Sequence, residues 1–201
     1  MRRCSQTITL WRSLAAALAA VLLLAGCDGG GPKFKNTDIT GADYAKGFAL
    51  TDHTGKPRTL VDFRGKVVVV FFGYAHCPDV CPTTLVELKQ VMQALGPDAD
   101  KVQVVFITLD PERDTQQVLA QYVPAFDPRF LGMYADTPTT VKTAKDFKVF
   151  FEKRGGTTPG SYTIDHTAAS FAFDTQGRLR LYVKHDAIGT LAGDIRTLLK
   201  E

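Results

Sequence analysis

The sequence predicts an α/β domain built on a central mixed sheet flanked by helices, with a β-hairpin at its N-terminal edge. Two observations carry this. Apolar β-branched and aromatic runs alternate with segments of helical spacing, and a late pair of alternating strands precedes a final helix.

The elements follow in order. Phe48–Asp52 and Arg58–Leu60 flank a His53-Thr54-Gly55-Lys56 turn and form the expected hairpin. Lys66–Gly73 is a continuous run of valine and phenylalanine, suited to a strand buried on both faces. Leu85, Leu88, Val91, Met92 and Leu95 give one apolar helical face, and Gly96-Pro97 ends that helix. The residue before a proline avoids helical geometry, so the helix is expected to begin at Pro82. Val102–Leu109 reads as a second buried strand, and Thr115–Tyr122 as a short helix. Thr137 is the expected N-cap of another helix, with Pro138 in its first turn. Thr167–Phe173 and Arg178–Lys184 alternate around Asp174-Thr175-Gln176-Gly177 as a hairpin, and Gly189–Lys200 closes as an amphipathic helix.

The first 26 residues read as a signal segment. Arg2, Arg3 and Arg12 precede the uncharged apolar stretch Ser13–Ala25, which is short for a membrane span of roughly 20 residues. Leu24-Ala25-Gly26-Cys27 resembles a bacterial lipobox, in which Cys27 is lipidated. The expected organisation is a signal peptide over 1–26, a lipid-anchored tether over 27–45, and one domain over 46–201. The domain is expected at the cell membrane, facing the periplasm or outer side of the inner membrane. Asp28 resembles a retention signal for that membrane.

Removal of the signal changes the charge argument. The chain carries 24 basic and 21 acidic residues, and the three signal arginines account for the whole excess of +3. No basic run remains, which argues against a nucleic-acid role. No large apolar stretch calls for an obligate dimer, and a monomer is expected.

Cysteine usage is more informative. Cys4 leaves with the signal and Cys27 takes the lipid, which leaves Cys77 and Cys81 in an oxidising compartment. A disulfide across so short a loop removes little unfolded-state entropy, so redox chemistry or metal binding explains the pair better than stapling. The pair lies where a buried strand ends and a helix begins, the usual place for a site in an open α/β sheet. The helix N-terminus beside the sulfurs lowers thiol pKa and enriches thiolate. Thiolate both attacks disulfides and ligates soft metals, and three intervening residues permit either.

Imidazole would complete a copper or zinc site. His53 is expected in a solvated turn, His76 is expected to point away from Cys77, and His185 follows a strand as a surface residue. His166 leads into the late hairpin, where position alone leaves it structural or ligating. Asp165 is the expected partner orienting it.

Three segments resemble the Sco/SenC family of copper proteins. They are Phe72-Gly73-Tyr74-Ala75-His76-Cys77-Pro78-Asp79-Val80-Cys81-Pro82, Phe106-Ile107-Thr108-Leu109-Asp110-Pro111-Glu112-Arg113-Asp114-Thr115 and Tyr162-Thr163-Ile164-Asp165-His166-Thr167. The resemblance runs from Phe48 to Leu198 and implies a thioredoxin-like fold. It implies one copper, Cu(I) or Cu(II), held by Cys77, Cys81 and His166. It implies a metallochaperone delivering copper to, or preparing the thiols of, the binuclear copper site of cytochrome c oxidase, whose copper-bearing subunit is the partner. Asp110 and Asp114 match the family's acidic motif; Asp110 is read either as near the site or as a strand-end cap. Thr167 stands where the family more often has serine.

Two other readings compete. A thiol-disulfide oxidoreductase would use Cys77 and Cys81 as a redox pair. A peroxidase-like enzyme would place threonine three residues before its nucleophile, and Tyr74 stands there. Zinc generally takes four ligands, and the sequence offers three good ones.

Overall fold

A computed structural model describes residues 33–156 and 161–201. The expected signal segment, lipidated Cys27 and the start of the tether lie outside the described residues. Among those described, no helix is long and apolar enough to cross a membrane.

Ten strands and four α-helices make up the described chain: β1 Thr37–Asp38, β2 Ala49–Asp52, β3 Pro57–Thr59, β4 Val67–Gly73, α1 Val80–Leu95, β5 Val102–Thr108, α2 Gln116–Tyr122, β6 Leu131–Tyr134, α3 Thr137–Asp146, β7 Phe151–Arg154, β8 Thr163–His166, β9 Ala169–Phe173, β10 Leu179–Lys184 and α4 Leu191–Leu198. Eight strands form one sheet in the order β1-β10-β9-β4-β5-β6-β2-β3, and β7 and β8 pair separately. β4, β5 and β6 run parallel while their flanking neighbours are antiparallel, so the central sheet is mixed, as expected.

The valine-rich run explains the centre. Every residue of β4 and β5 is buried. Alternate side chains serve two cores, as the two-residue period of a strand requires. Val67, Val69 and Phe71 pack with Leu85, Leu88, Met92, Leu119, Leu191 and Ile195, contributed by α1, α2 and α4. Val68, Val70 and Phe72 pack with Phe48, Leu60, Phe63, Ala144 and Phe147 on the other face. The N-terminal hairpin is present, with Ala49 opposite Thr59 and Leu50 opposite Arg58.

Three sequence expectations are corrected. First, α1 begins at Val80, not Pro82. A proline in the first turn removes an N–H that has no helical partner anyway, so Cys81 can be helical ahead of it. Second, the N-cap of α3 is Asp136, whose side chain accepts the Thr139 N–H at 2.9 Å, and Thr137 is already helical. Third, the compact unit starts at Phe34, so the later part of the expected tether belongs to the fold. The buried Asp194 carboxylate holds this segment, accepting from the backbone N–H of Lys35 at 2.8 Å and of Asn36 at 2.9 Å. β1 then pairs with β10.

Candidate metal centre

β4 and β5 end together, with Gly73 opposite Thr108, and the cysteine loop crosses their C-terminal edge into α1. A side chain at Gly73 would obstruct this crossing, because a Cβ built there lies 2.9 Å from Cys81 Sγ and 2.9 Å from the Phe106 ring. The strand's last residue is therefore the one that lets Cys81 settle against the sheet. Cys81 is fully buried and Cys77 half-buried; both are free thiols. The loop rests on Asp114, whose carboxylate accepts the Ala75 N–H at 2.9 Å and the Thr108 hydroxyl at 2.6 Å.

The structure brings Cys77, Cys81 and His166 together. Their ligand atoms all lie within 4.8 Å of one another. Cys81 Sγ is 3.5 Å from His166 Nε2, and the Cys81 N–H points at Cys77 Sγ at 3.4 Å. The early start of α1 supplies that N–H.

His166 sits at the end of β8, outside the central sheet. Its ring meets Phe71 and Tyr74 edge-on, with centroids at 6.3 and 6.1 Å. Nδ1 lies 3.1 Å from the Thr167 carbonyl oxygen. A carbonyl only accepts, so Nδ1 carries the hydrogen and a neutral ring turns its Nε2 lone pair toward the sulfurs. This corrects the expectation for Asp165, whose exposed carboxylate pairs with Arg154 instead.

The electrostatics separate the two thiols. The hydrogen bond from Cys81 holds the Cys77 pKa well below that of a free thiol, outweighing burial, and the backbone N–H groups of Asp79 and Cys81 act in the same direction. That same contact, followed by full burial, pushes Cys81 up. Cys77 is thus the thiolate and Cys81 keeps its proton until something displaces it.

The other histidines lie apart. His76 is exposed and turns toward Asp114, with Nδ1 3.6 Å from Oδ1. His185 is exposed. His53, expected to be solvated, is half-buried, and its Nδ1 accepts the Gly132 N–H at 3.0 Å. Asp110 takes no place among the ligand atoms. It accepts the Tyr162 hydroxyl at 2.6 Å and pairs with Arg113. Sequence reasoning missed Arg113, Tyr162 and the Thr167 carbonyl around this site. Arg113 and Tyr162 stood within the second and third motifs; a backbone carbonyl leaves no signature.

The donor set fits copper. Two sulfurs and one imidazole are soft-to-intermediate ligands that select Cu(I) over hard cations, and among the described residues no fourth ligand is grouped with them. They do not complete the four-coordinate shell usual for structural zinc.

Comparison with known proteins points the same way. The SCO1/SenC family profile matches residues 36–200. Mouse "Protein SCO2 homolog, mitochondrial" is 40% identical over 132 residues, covering 65% of this chain and 52% of that protein. The chain thus spans about half the length of the curated relatives it matches. The structure of Bradyrhizobium japonicum ScoI with copper bound is similar at a TM-score of 0.70 and 39% identity, covering 76% of this chain and 97% of that one. The apo Sco1 of Thermus thermophilus matches at a TM-score of 0.74 and 38% identity, over 84% of this chain and 99% of that one. The expected thioredoxin-like fold and family resemblance are thereby borne out. A profile match over nearly all of Phe34–Glu201, together with these relatives, establishes that the chain belongs to the SCO1/SenC family.

Proposed function

We propose that this protein is a copper chaperone that carries one copper between Cys77, Cys81 and His166. Its recipient is the binuclear copper site on the copper-bearing subunit of cytochrome c oxidase. The observation that carries this is the convergence of the three donor atoms within 4.8 Å at the sheet edge. The copper in the similar Bradyrhizobium ScoI supports the choice of metal. On this reading copper is cargo. Cys77 offers a thiolate, Cys81 gives up its proton on loading, and His166 presents Nε2. Loading therefore releases a proton, and uptake weakens in acid.

The tethering is part of the same proposal. Lipid on Cys27, after removal of residues 1–26, would hold the domain at the cell membrane facing the periplasm or the outer side of the inner membrane.

One observation favours a second activity at this site. A thiolate at Cys77 beside a protonated Cys81 is the arrangement from which a thiol attacks a disulfide and its neighbour resolves the product. As a thiol-disulfide oxidoreductase the protein would reduce the recipient's cysteines before copper arrives. Two measurements test the proposal. Copper-loaded protein is mixed with the apo, reduced soluble copper domain of the oxidase subunit, and copper on each is measured after separation. The reduced apo protein is mixed with the same domain in its disulfide form. Copper transfer supports the chaperone; thiol exchange without transfer leaves the oxidoreductase; neither refutes both.

A further inference from the structure

We propose that Arg113 and Tyr162 form a latch whose role is to place His166 against the sulfurs. This rests on the three-donor site just described and goes beyond it by naming what holds its least anchored member.

The need for a latch follows from topology. Cys77 and Cys81 are carried by the strand–helix junction of the central sheet, and β4 is fully buried between its neighbours. His166 is carried by β8, whose only ladder partner among the described residues is β7, a strand with an exposed Glu152-Lys153-Arg154 run. A two-stranded hairpin is marginal on its own in water. Something outside the ladder must therefore fix its position to within the fraction of an ångström that ligand geometry demands.

The contacts that do so converge on residues 110–113. The Arg113 guanidinium lies 3.7 Å from the centroid of the Tyr162 ring and 5.8 Å from that of Tyr74. Its NH1 donates to the Tyr162 carbonyl at 3.0 Å, and its Nε donates to Asp110. The other Asp110 oxygen accepts the Tyr162 hydroxyl at 2.6 Å. One carboxylate thus binds both halves of the latch. Tyr74, on the cysteine loop, accepts the Ile164 N–H through its hydroxyl at 3.1 Å, inside the strand that ends in His166. On the outer side, Lys153 of β7 lies 4.6 Å from the Tyr162 ring and pairs with Glu112. The Arg113–Tyr162, Asp110–Tyr162 and Lys153–Glu112 contacts tie the hairpin to the β5 loop, and the Ile164–Tyr74 contact ties it to the cysteine loop. None touches a sulfur, so Arg113 and Tyr162 are positioning residues.

The charged groups are matched within the cluster. Arg113 faces Asp110, and Lys153 faces Glu112. Arginine suits its place because a planar guanidinium can stack on one ring while donating in two directions; lysine can pair with Asp110 but cannot do both.

The test uses Tyr162→Leu and Arg113→Lys, each alone and combined with His166→Ala. Arg113→Lys carries the measurement if Tyr162→Leu folds poorly. Cu(I) affinity is measured under anaerobic competition, and amide exchange of residues 163–166 is followed without metal. The expected result is one copper per chain bound about 10–100-fold more weakly, the range for a residue supporting a metal ligand. Faster exchange in the hairpin, and no additional loss of affinity in the His166→Ala background, are expected alongside it. Parental affinity, unchanged exchange, or an equal loss when His166 is already absent would each overturn the latch. A parent chain that binds no copper would sink the three-donor reading, while the exchange data would still decide whether these residues hold the hairpin.

Discussion

Replacing Gly73 with alanine isolates the packing requirement at the metal centre. Gly73 is strand-paired and has no positive φ, so alanine meets no backbone penalty there. The cost is steric. The new Cβ would lie 2.9 Å from Cys81 Sγ, 2.9 Å from the Phe106 ring and 3.1 Å from the Phe71 ring, whereas ordinary contact begins at 3.4 Å. Each neighbour is fully buried, so none can swing into solvent. Cys81 Sγ or the ring must move by about 0.5 Å, in a core packed as densely as an organic crystal. Overpacking of this kind costs about 1–3 kcal/mol. For a domain of this size that corresponds to a fall in Tm of about 2–12 °C. Because Cys81 Sγ is also 3.5 Å from His166 Nε2, its displacement should weaken Cu(I) binding along with stability. Thermal unfolding of the apo protein and a copper competition titration read the two effects separately. Parental Tm together with parental affinity would refute the argument. A lowered Tm with parental affinity would show that the phenyl rings, rather than the sulfur, yield.

Two further outcomes follow from the charge environment. Burial raises the Asp52 pKa, but hydrogen bonds from Thr54, Arg58 and Lys56 overcome it and hold the carboxyl at about 2. A depressed carboxylate contributes stability above its unfolded pKa and loses it as pH falls through the folded value, so this contribution, worth about 2 kcal/mol, should fade between about pH 4 and pH 2. Asp52→Asn should cost about that much near neutrality and little at pH 2, by denaturant titration; a pH-independent loss would contradict the assignment. Cys77, held as thiolate chiefly by Cys81, should alkylate at a rate nearly independent of pH between about 6 and 8, where an ordinary thiol slows as it protonates. Cys81→Ala should restore ordinary pH dependence, which mass spectrometry of the labelled peptide would detect.

Much of the fold was legible because its signals are local. The run Val67–Phe72 reads as a two-faced strand wherever it is placed, and the Leu85–Leu95 pattern reads as a helix packed on one side. The cysteine loop was legible for the same reason, since glycine and prolines punctuate a strand-to-helix junction. What failed to show was long-range. His166 reaches Cys81 across 85 residues on a hairpin whose first strand, Phe151–Arg154, has no alternating pattern. The Asn36–Asp194 contact spans 158 residues, so polar residues near position 36 read as tether although they are pinned to α4. His53 looked solvated because nothing near it in sequence announces the Gly132 N–H it accepts. Asp165 looked like the residue orienting His166 because it is adjacent and acidic, but strand alternation sends neighbouring side chains to opposite faces.

The central claim is that Cys77, Cys81 and His166 hold one copper together, and metal stoichiometry tests it most directly. The reduced domain, from Asp28 onward, is titrated anaerobically with Cu(I) beside Cys77→Ser, Cys81→Ser and His166→Ala. The account predicts about one copper per parent chain, with loss or marked weakening in all three variants. A parent that retains no copper, or a His166→Ala variant that binds as tightly as the parent, would contradict it.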